Sequence, residues 1–238
     1  MAKDKKETDL VATSESIKIN EEDAASNSND PMIRDGVTTM VLAGYSVGHF
    51  ANDLCASMWF IYLSYYLIEV VNLSQSISGL CLLSGQIADG ITTPIVGYVS
   101  DNLDTKCGKR NIWYYMGSVL VAPAFLCIFI YPDFFSSEGG RNAWYLIFPA
   151  IFNIGWASVQ IAHLAIVNQL SYSQRKRDKM VVNRNGFTYI ANIFVLGLSL
   201  ALFLTVKSEI LQFQILCLTC VGLGSASTLF YICMVREP

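Results

Sequence analysis

Charge is scarce in this sequence. Only 15% of the 238 residues are Asp, Glu, Lys or Arg, against about 25% in soluble domains. Hydrophobic residues make up 53%, too many for a surface facing water alone, so the composition is that of a membrane protein. The net charge of −3 says little, because acid collects in the first 35 residues and base in two later loops; nucleic acid is not expected as a partner. Catalytic signatures are missing as well. There is no HExxH, GxSxG, phosphate-binding Walker loop or paired-aspartate motif, and the two histidines lie in different segments. The chain is therefore not read as an enzyme, and no metal or cofactor is expected. The seven cysteines show no regular spacing. Most sit in apolar segments, as Cys55, Cys127, Cys217 and Cys233 do, and are read as small buried hydrophobes. No basic flank followed by a short apolar run opens the chain, so no cleaved signal peptide is expected.

What is present is a succession of apolar stretches behind a polar head. Residues 1–35 are rich in Asp, Glu, Lys, Ser and Asn, with almost no aromatics. They cannot bury enough apolar surface to order themselves, so a disordered cytoplasmic tail is expected. Spanning about 30 Å of hydrocarbon takes roughly 20 residues. Six stretches qualify, at about 38–68, 75–100, 112–131, 143–169, 185–206 and 211–235. The expectation is an all-α membrane protein with six transmembrane helices in one domain, residues 36–238. Lys and Arg concentrate in two inter-helix loops, one holding Lys106, Lys109 and Arg110, the other Arg175, Lys176, Arg177 and Lys179. The alternate loops carry only Arg141 and Lys207, beside Asp133, Glu138 and Glu209. The positive-inside rule then places the basic loops and the N-terminus in the cytoplasm. Asn72-Leu73-Ser74 is a glycosylation sequon on the opposite side, which agrees.

Polar residues at bilayer depth are rare and tend to line a cavity or pathway. His49 and Asp53, four apart with Asn52 beside them, can meet on one helix face. They are read as a proton-exchanging pair or a structural interhelical hydrogen bond. Gln86, Asp89 and Thr93 share another face. A carboxylate beside amide and hydroxyl groups can hold Na⁺, a proton or an ammonium group, but one carboxylate makes a poor divalent-metal cage. Trp156, Gln160 and His163 follow at one-turn spacings, which suits a small polar solute or interior packing. Arg184 can clasp a carboxylate with two hydrogen bonds, or snorkel to the surface. Gly97, Asp101, Gly108, Lys109 and Arg110 read as a charged gating loop, the glycines permitting close backbone approach, or as a solvated turn.

These residues carry a resemblance. Gly97-Tyr-Val-Ser-Asp101 followed by Gly108-Lys109-Arg110 resembles the loop between the second and third helices of major facilitator superfamily transporters. The Asp101–Gly108 spacing is longer than the common form and resembles the glycoside–pentoside–hexuronide:cation symporter branch. GHFANDLCASMWF at 48–60, GQIADGITTPIVGY at 85–98 and FNIGWASVQIAHL at 152–164 widen the match. The resemblance implies a secondary transporter working by alternating access. Its substrate would be a small polar solute, most closely cysteine or a related amino acid, across a lysosomal or related membrane. The alternatives are a sugar–cation symporter, a plasma-membrane location, or a non-transporting membrane interaction protein. It further implies that Asp53 contacts substrate, that Asp89 is one acid of a cation site, and that Arg184 lies in the substrate pocket. Thr93 and Gln160 stand where bacterial melibiose symporters have further carboxylates, which favours coupling to H⁺ over Na⁺. The chain stops just after the sixth segment, so it is expected to form only the N-terminal half of the fold. Its partners would then be the lipid bilayer, a small-molecule substrate and the missing C-terminal half or another chain, without which it cannot transport as a monomer.

Overall fold

The structure, a computed structural model, describes residues 37–131, 135 and 137–237. The expected tail at 1–35 and Asp133 lie outside them. Every regular element among the described residues is helical: α1 (Thr39–Val47), α2 (Phe50–Tyr65), α3 (Gln75–Asn102), α4 (Asn111–Phe129), α5 (Glu138–Leu170), α6 (Gln174–Thr205) and α7 (Glu209–Met234). A single π-helical turn, Tyr66–Val70, extends α2. Serine or threonine precedes five of the helices, and in four of them its side chain caps the first turn. The side chains of Thr38, Ser74, Ser137 and Ser208 each accept from a first-turn amide, at 3.2–3.4 Å, satisfying a donor that the helix leaves free. The start of α4 is served instead by Glu237, whose carboxylate accepts from the backbone N–H of Arg110 at 2.8 Å and of Asn111 at 3.0 Å.

Two expected segments change shape. The first, 38–68, is not one helix. It is interrupted at Gly48 and His49, so that α1 and α2 are separate. Gly48 sits against the rings of Tyr231 and His163, leaving no room for a Cβ. Its carbonyl accepts from the Tyr114 hydroxyl at 2.6 Å, a partner from α4 that stabilises the interruption. The fifth segment starts at Gln174 rather than 185. The basic run Arg175–Lys179 is therefore the first turns of α6 and not a loop, because Lys and Arg are good helix formers and Ser173 precedes them as N-cap. The connection itself is only Ser171–Ser173.

Four of these helices, α4 to α7, are long and apolar enough to cross a membrane. The helix α3 has the length, with 28 residues, but Ser, Gln, Asp and Thr dilute its apolar content. The interruption shortens α1 and α2. The helix α5 packs extensively on both α3 and α4, and α2 packs on α6 and α7. Where α4 meets α5, a Cβ on Gly117 would stand 2.6 Å from the Gly155 carbonyl oxygen, so only glycine permits this backbone approach. Tyr66, Phe129, Phe213 and Tyr145 form an aromatic core at one end, with Tyr66 and Phe213 rings 5.1 Å apart. Rows of large apolar residues stay uncovered, among them Ile87, Ile91, Ile95 and Tyr98 on α3 and Ile193, Leu200 and Leu204 on α6. A surface facing water alone rarely carries such rows. All seven cysteines are free thiols, with Cys55, Cys81, Cys217 and Cys220 buried.

Candidate functional site

The interruption at Gly48 and His49 sets the depth of the first polar group. His49 precedes the first turn of α2 and Asp53 lies within that turn. Their side chains meet with His49 Nδ1 2.9 Å from Asp53 Oδ1. Both are buried, at 2% and 6% exposure. The helix α6 brings Arg184 and Thr188 to the same point. Arg184 Nη2 lies 3.1 Å from His49 Nδ1, and the Thr188 hydroxyl donates to Asp53 Oδ2 at 3.1 Å. One turn along α2, Ser57 donates to the Asp53 carbonyl at 3.0 Å and also to Asn192 of α6. A buried histidine and carboxylate thus share one network with a half-buried guanidinium, between two helices. Neither Thr188 nor Asn192 stood out as a site residue in the sequence, because a threonine or asparagine in α6 acquires meaning only when α2 docks against it. Their one-turn spacing from Arg184 and from each other was the available signal.

The second polar group lies on α3. Thr93 donates to Asp89 Oδ1 at 3.3 Å, as their four-residue spacing predicts. Asp89 and Gln86 line a cavity of about 100 Å³ with Trp156, Asn153 and Phe152 of α5 and with Ala56, Trp59 and Phe60 of α2. Gly85 lets α3 approach this wall, since a Cβ there would meet the Asn153 amide and the Trp59 ring. Asn52 donates to the Trp156 carbonyl at 3.0 Å, which ties the cavity wall to the helix carrying Asp53. Among the described residues, Gln160 Oε1, Trp156 Nε1, Arg184 Nε and His49 Nε2 are buried without a hydrogen-bond partner.

The sequence-based expectation of a single pocket between Asp53, Asp89, Gln160 and Arg184 is therefore divided. Asp53 and Arg184 belong to the α2–α6 network, while Asp89, Gln86 and Trp156 face the cavity. His163 joins neither wall. It is fully buried, stacks on Tyr45 with ring centres 4.3 Å apart, and donates from Nε2 to the Tyr45 carbonyl at 2.9 Å. This packing replaces the solute contact its spacing from Gln160 suggested. The gating residues divide too. Gly97 and Asp101 lie within α3, and nothing would obstruct a Cβ on Gly97, so no close approach depends on it. Asp101 pairs with Arg110, and Lys109 Nζ lies 3.2 Å from Asp104. Gly108 does mark a special backbone, with φ +98° and the Glu237 carboxylate against it. Asn72 is exposed in the turn before α3, with φ +59°.

Comparison with known sequences follows this geometry. Residues 44–238 match the family described as MFS/sugar transport protein. Major facilitator superfamily domain-containing protein 12 from Equus caballus and from Homo sapiens are each 42% identical over 159 residues, covering 64% of this chain and 33% of the relative. An uncharacterized symporter from Synechocystis is 25% identical over 168 residues, covering 69% of this chain and 30% of the relative. A sodium-dependent lysophosphatidylcholine symporter from Mus musculus is 26% identical over 143 residues, or 59% of this chain and 27% of the relative. The match spans about a third of the length of these relatives.

Proposed function

The chain belongs to the MFS/sugar transport protein family, and from that premise we propose that it forms a six-span body of a secondary transporter for a small polar solute. In this reading α1 and α2 together make one span and α3 another, beside the four apolar helices. The carrying observation is the buried His49–Asp53 pair with Arg184 against it. Ionisable groups inside apolar helices are retained where they serve a pathway. The solute class follows from the two polar groups. A zwitterionic amino acid has an ammonium suited to Asp53 or Asp89 and a carboxylate suited to the planar donors of Arg184. Cysteine is the substrate we name. Trp156 and Gln160 would contact the solute between them.

Asp89, with Thr93 and Gln86, is the coupling group of the α3 face. One carboxylate with a single hydroxyl beside it holds a proton better than a sodium cage, so H⁺ is the coupling ion of this reading. Ion pairs Asp101–Arg110 and Lys109–Asp104 would close the cytoplasmic side in one state and open in the other, since differential contacts are what shift a conformational equilibrium. The basic turns of α6 and the Lys106–Arg110 loop orient the body with its N-terminus in the cytoplasm, in a lysosomal or related membrane. Asn72 would then be glycosylated on the far side. A second six-helix body, from the same polypeptide or another chain, would cover the polar face.

A sugar–cation symporter is the second reading. The indoles of Trp59 and Trp156 beside the cavity favour it, because aromatic faces stack on sugar rings. The deciding experiment is uptake of labelled cysteine into lysosomes from cells producing the full-length protein, wild type or Asp89→Ala, at equal level. Uptake is expected to fall at least tenfold. Equal uptake overturns the assignment, and sugar flux that follows an Na⁺ gradient supports the second reading.

A further inference from the structure

His49 Nδ1 is claimed twice. Arg184 Nη2 stands 3.1 Å from it and Asp53 Oδ1 stands 2.9 Å from it. A guanidinium only donates, and a carboxylate only accepts. A bare Nδ1 can therefore accept from Arg184 but meets Asp53 lone pair to lone pair. A protonated Nδ1 donates to Asp53 and meets Arg184 hydrogen to hydrogen. Only one of the two contacts is a hydrogen bond at a time.

Resting on the reading above, we propose that His49 is the switch that links proton binding to the availability of Arg184 for a carboxylate-bearing solute. In the first state His49 is neutral, with its hydrogen on Nε2, and its bare Nδ1 holds Arg184. A proton adds to the Nδ1 lone pair. The new N–H turns to Asp53, and Arg184 loses its acceptor. No covalent bond other than that N–H forms or breaks, and loss of the proton from Nδ1 restores the first state.

The surroundings allow this and confine it to His49. On its own helix it faces Asp53, which stays beside the imidazolium and balances its charge. From α6 it faces Arg184, whose remaining side-chain hydrogen bond among the described residues, once released, is to Asn185 at 3.1 Å. From α5 it faces His163, with ring centres 5.6 Å apart. Beyond His163 stand Tyr45 of α1, Tyr114 of α4 and Tyr231 of α7. His163 carries no such double claim: the Tyr45 carbonyl at 2.9 Å commits a hydrogen to its Nε2, and its Nδ1 has no pair of partners to exchange. Its Nδ1 and the Nε2 of His49 are both buried and unpartnered. These are a ready acceptor and, in the first state, a ready donor. The freed guanidinium offers paired donors to a carboxylate, so proton and solute enter together.

The test uses the fact that the chain has two histidines. The full chain, labelled with ¹⁵N-histidine, is placed in lipid nanodiscs, and ring-nitrogen resonances are followed with pH. His49→Gln identifies the His49 signals by their loss. Wild type is expected to show bare Nδ1 at high pH and protonated Nδ1 at low pH. Arg184→Met, apolar and of similar length, should abolish the bare-Nδ1 resonance over a wider pH range. Asp53→Leu should retain it to lower pH. His163 should keep its Nε2–H in all of them. Cysteine, and not cysteamine, which lacks the carboxylate, should raise the protonated-Nδ1 fraction at fixed pH. A His49 signal unmoved by both substitutions overturns the switch, whatever the uptake assay gives. Equal effects of cysteine and cysteamine, or none, overturn the link to a carboxylate. A normal switch in a chain that shows no cysteine uptake places the failure in the substrate reading alone.

Discussion

Gly108 has φ +98°, and the Glu237 carboxylate fills the space a Cβ would need. Two separate reasons therefore require glycine there. Gly108→Ala should lower stability by about 1–3 kcal/mol, read as a fall in the thermal midpoint in detergent micelles. Gly97→Ala is the control. Its site is helical and open, so alanine should be neutral or stabilise by roughly 0.5–1 kcal/mol. Glu237 takes the place of an N-cap for α4. Glu237→Gln removes the charge but keeps the shape, and should cost about 1 kcal/mol in the same melting assay. Of these roles, the special backbone of Gly108 was partly legible, because glycine among the charged residues suggested close backbone approach. Gly97 looked equivalent in sequence and is not, since a glycine's need depends on which atoms the fold brings to it. Glu237 gave no local signal, because its partners lie 126 and 127 residues earlier.

At the scale of the helices, the seam between α4 and α5 rests on Gly117 and Gly155. Gly117→Val should force the helices apart and cost about 1–3 kcal/mol or more, seen as a lower denaturant midpoint. The same substitution at Gly222, where nothing lies within 4 Å of a Cβ, should cost far less. The interruption between α1 and α2 has its own test. Tyr114→Phe leaves the Gly48 carbonyl buried without its 2.6 Å donor and should cost about 1–3 kcal/mol in chemical unfolding. Element positions were largely legible, because long apolar runs and Ser or Thr starts mark where helices begin. Two boundaries were not. The interruption at Gly48 depends on the rings of Tyr231 and His163, which are remote in sequence. The start of α6 was hidden because charge was taken as loop, although Lys and Arg extend a helix readily once it leaves the apolar zone.

For the whole molecule, the proposed topology makes a prediction from two thiols. Cys107 and Cys233 are exposed, and the other cysteines are buried or half-buried. With both on the cytoplasmic side, a membrane-impermeant maleimide should label Cys107 only after intact plasma membranes are permeabilised, in cells where the chain is directed to the surface. Labelling of Cys107 without permeabilisation would reverse the orientation. Asn72, on the opposite side, would then carry no glycan.

The sequence by itself determined the class. Scarce charge and long apolar runs exclude a solely water-facing fold, and the spacings of His49 with Asp53 and of Asp89 with Thr93 follow from helical geometry alone. Only the tertiary structure decided how the polar residues are shared out. It joined Asp53 to Arg184, turned Asp89 toward Trp156, and packed His163 among tyrosines. The physical reason is that a helix's period sets which residues share its face, while the neighbour that face meets is set by packing at glycine contacts far apart in the chain. The double claim on His49 Nδ1 exists only where α2 and α6 meet.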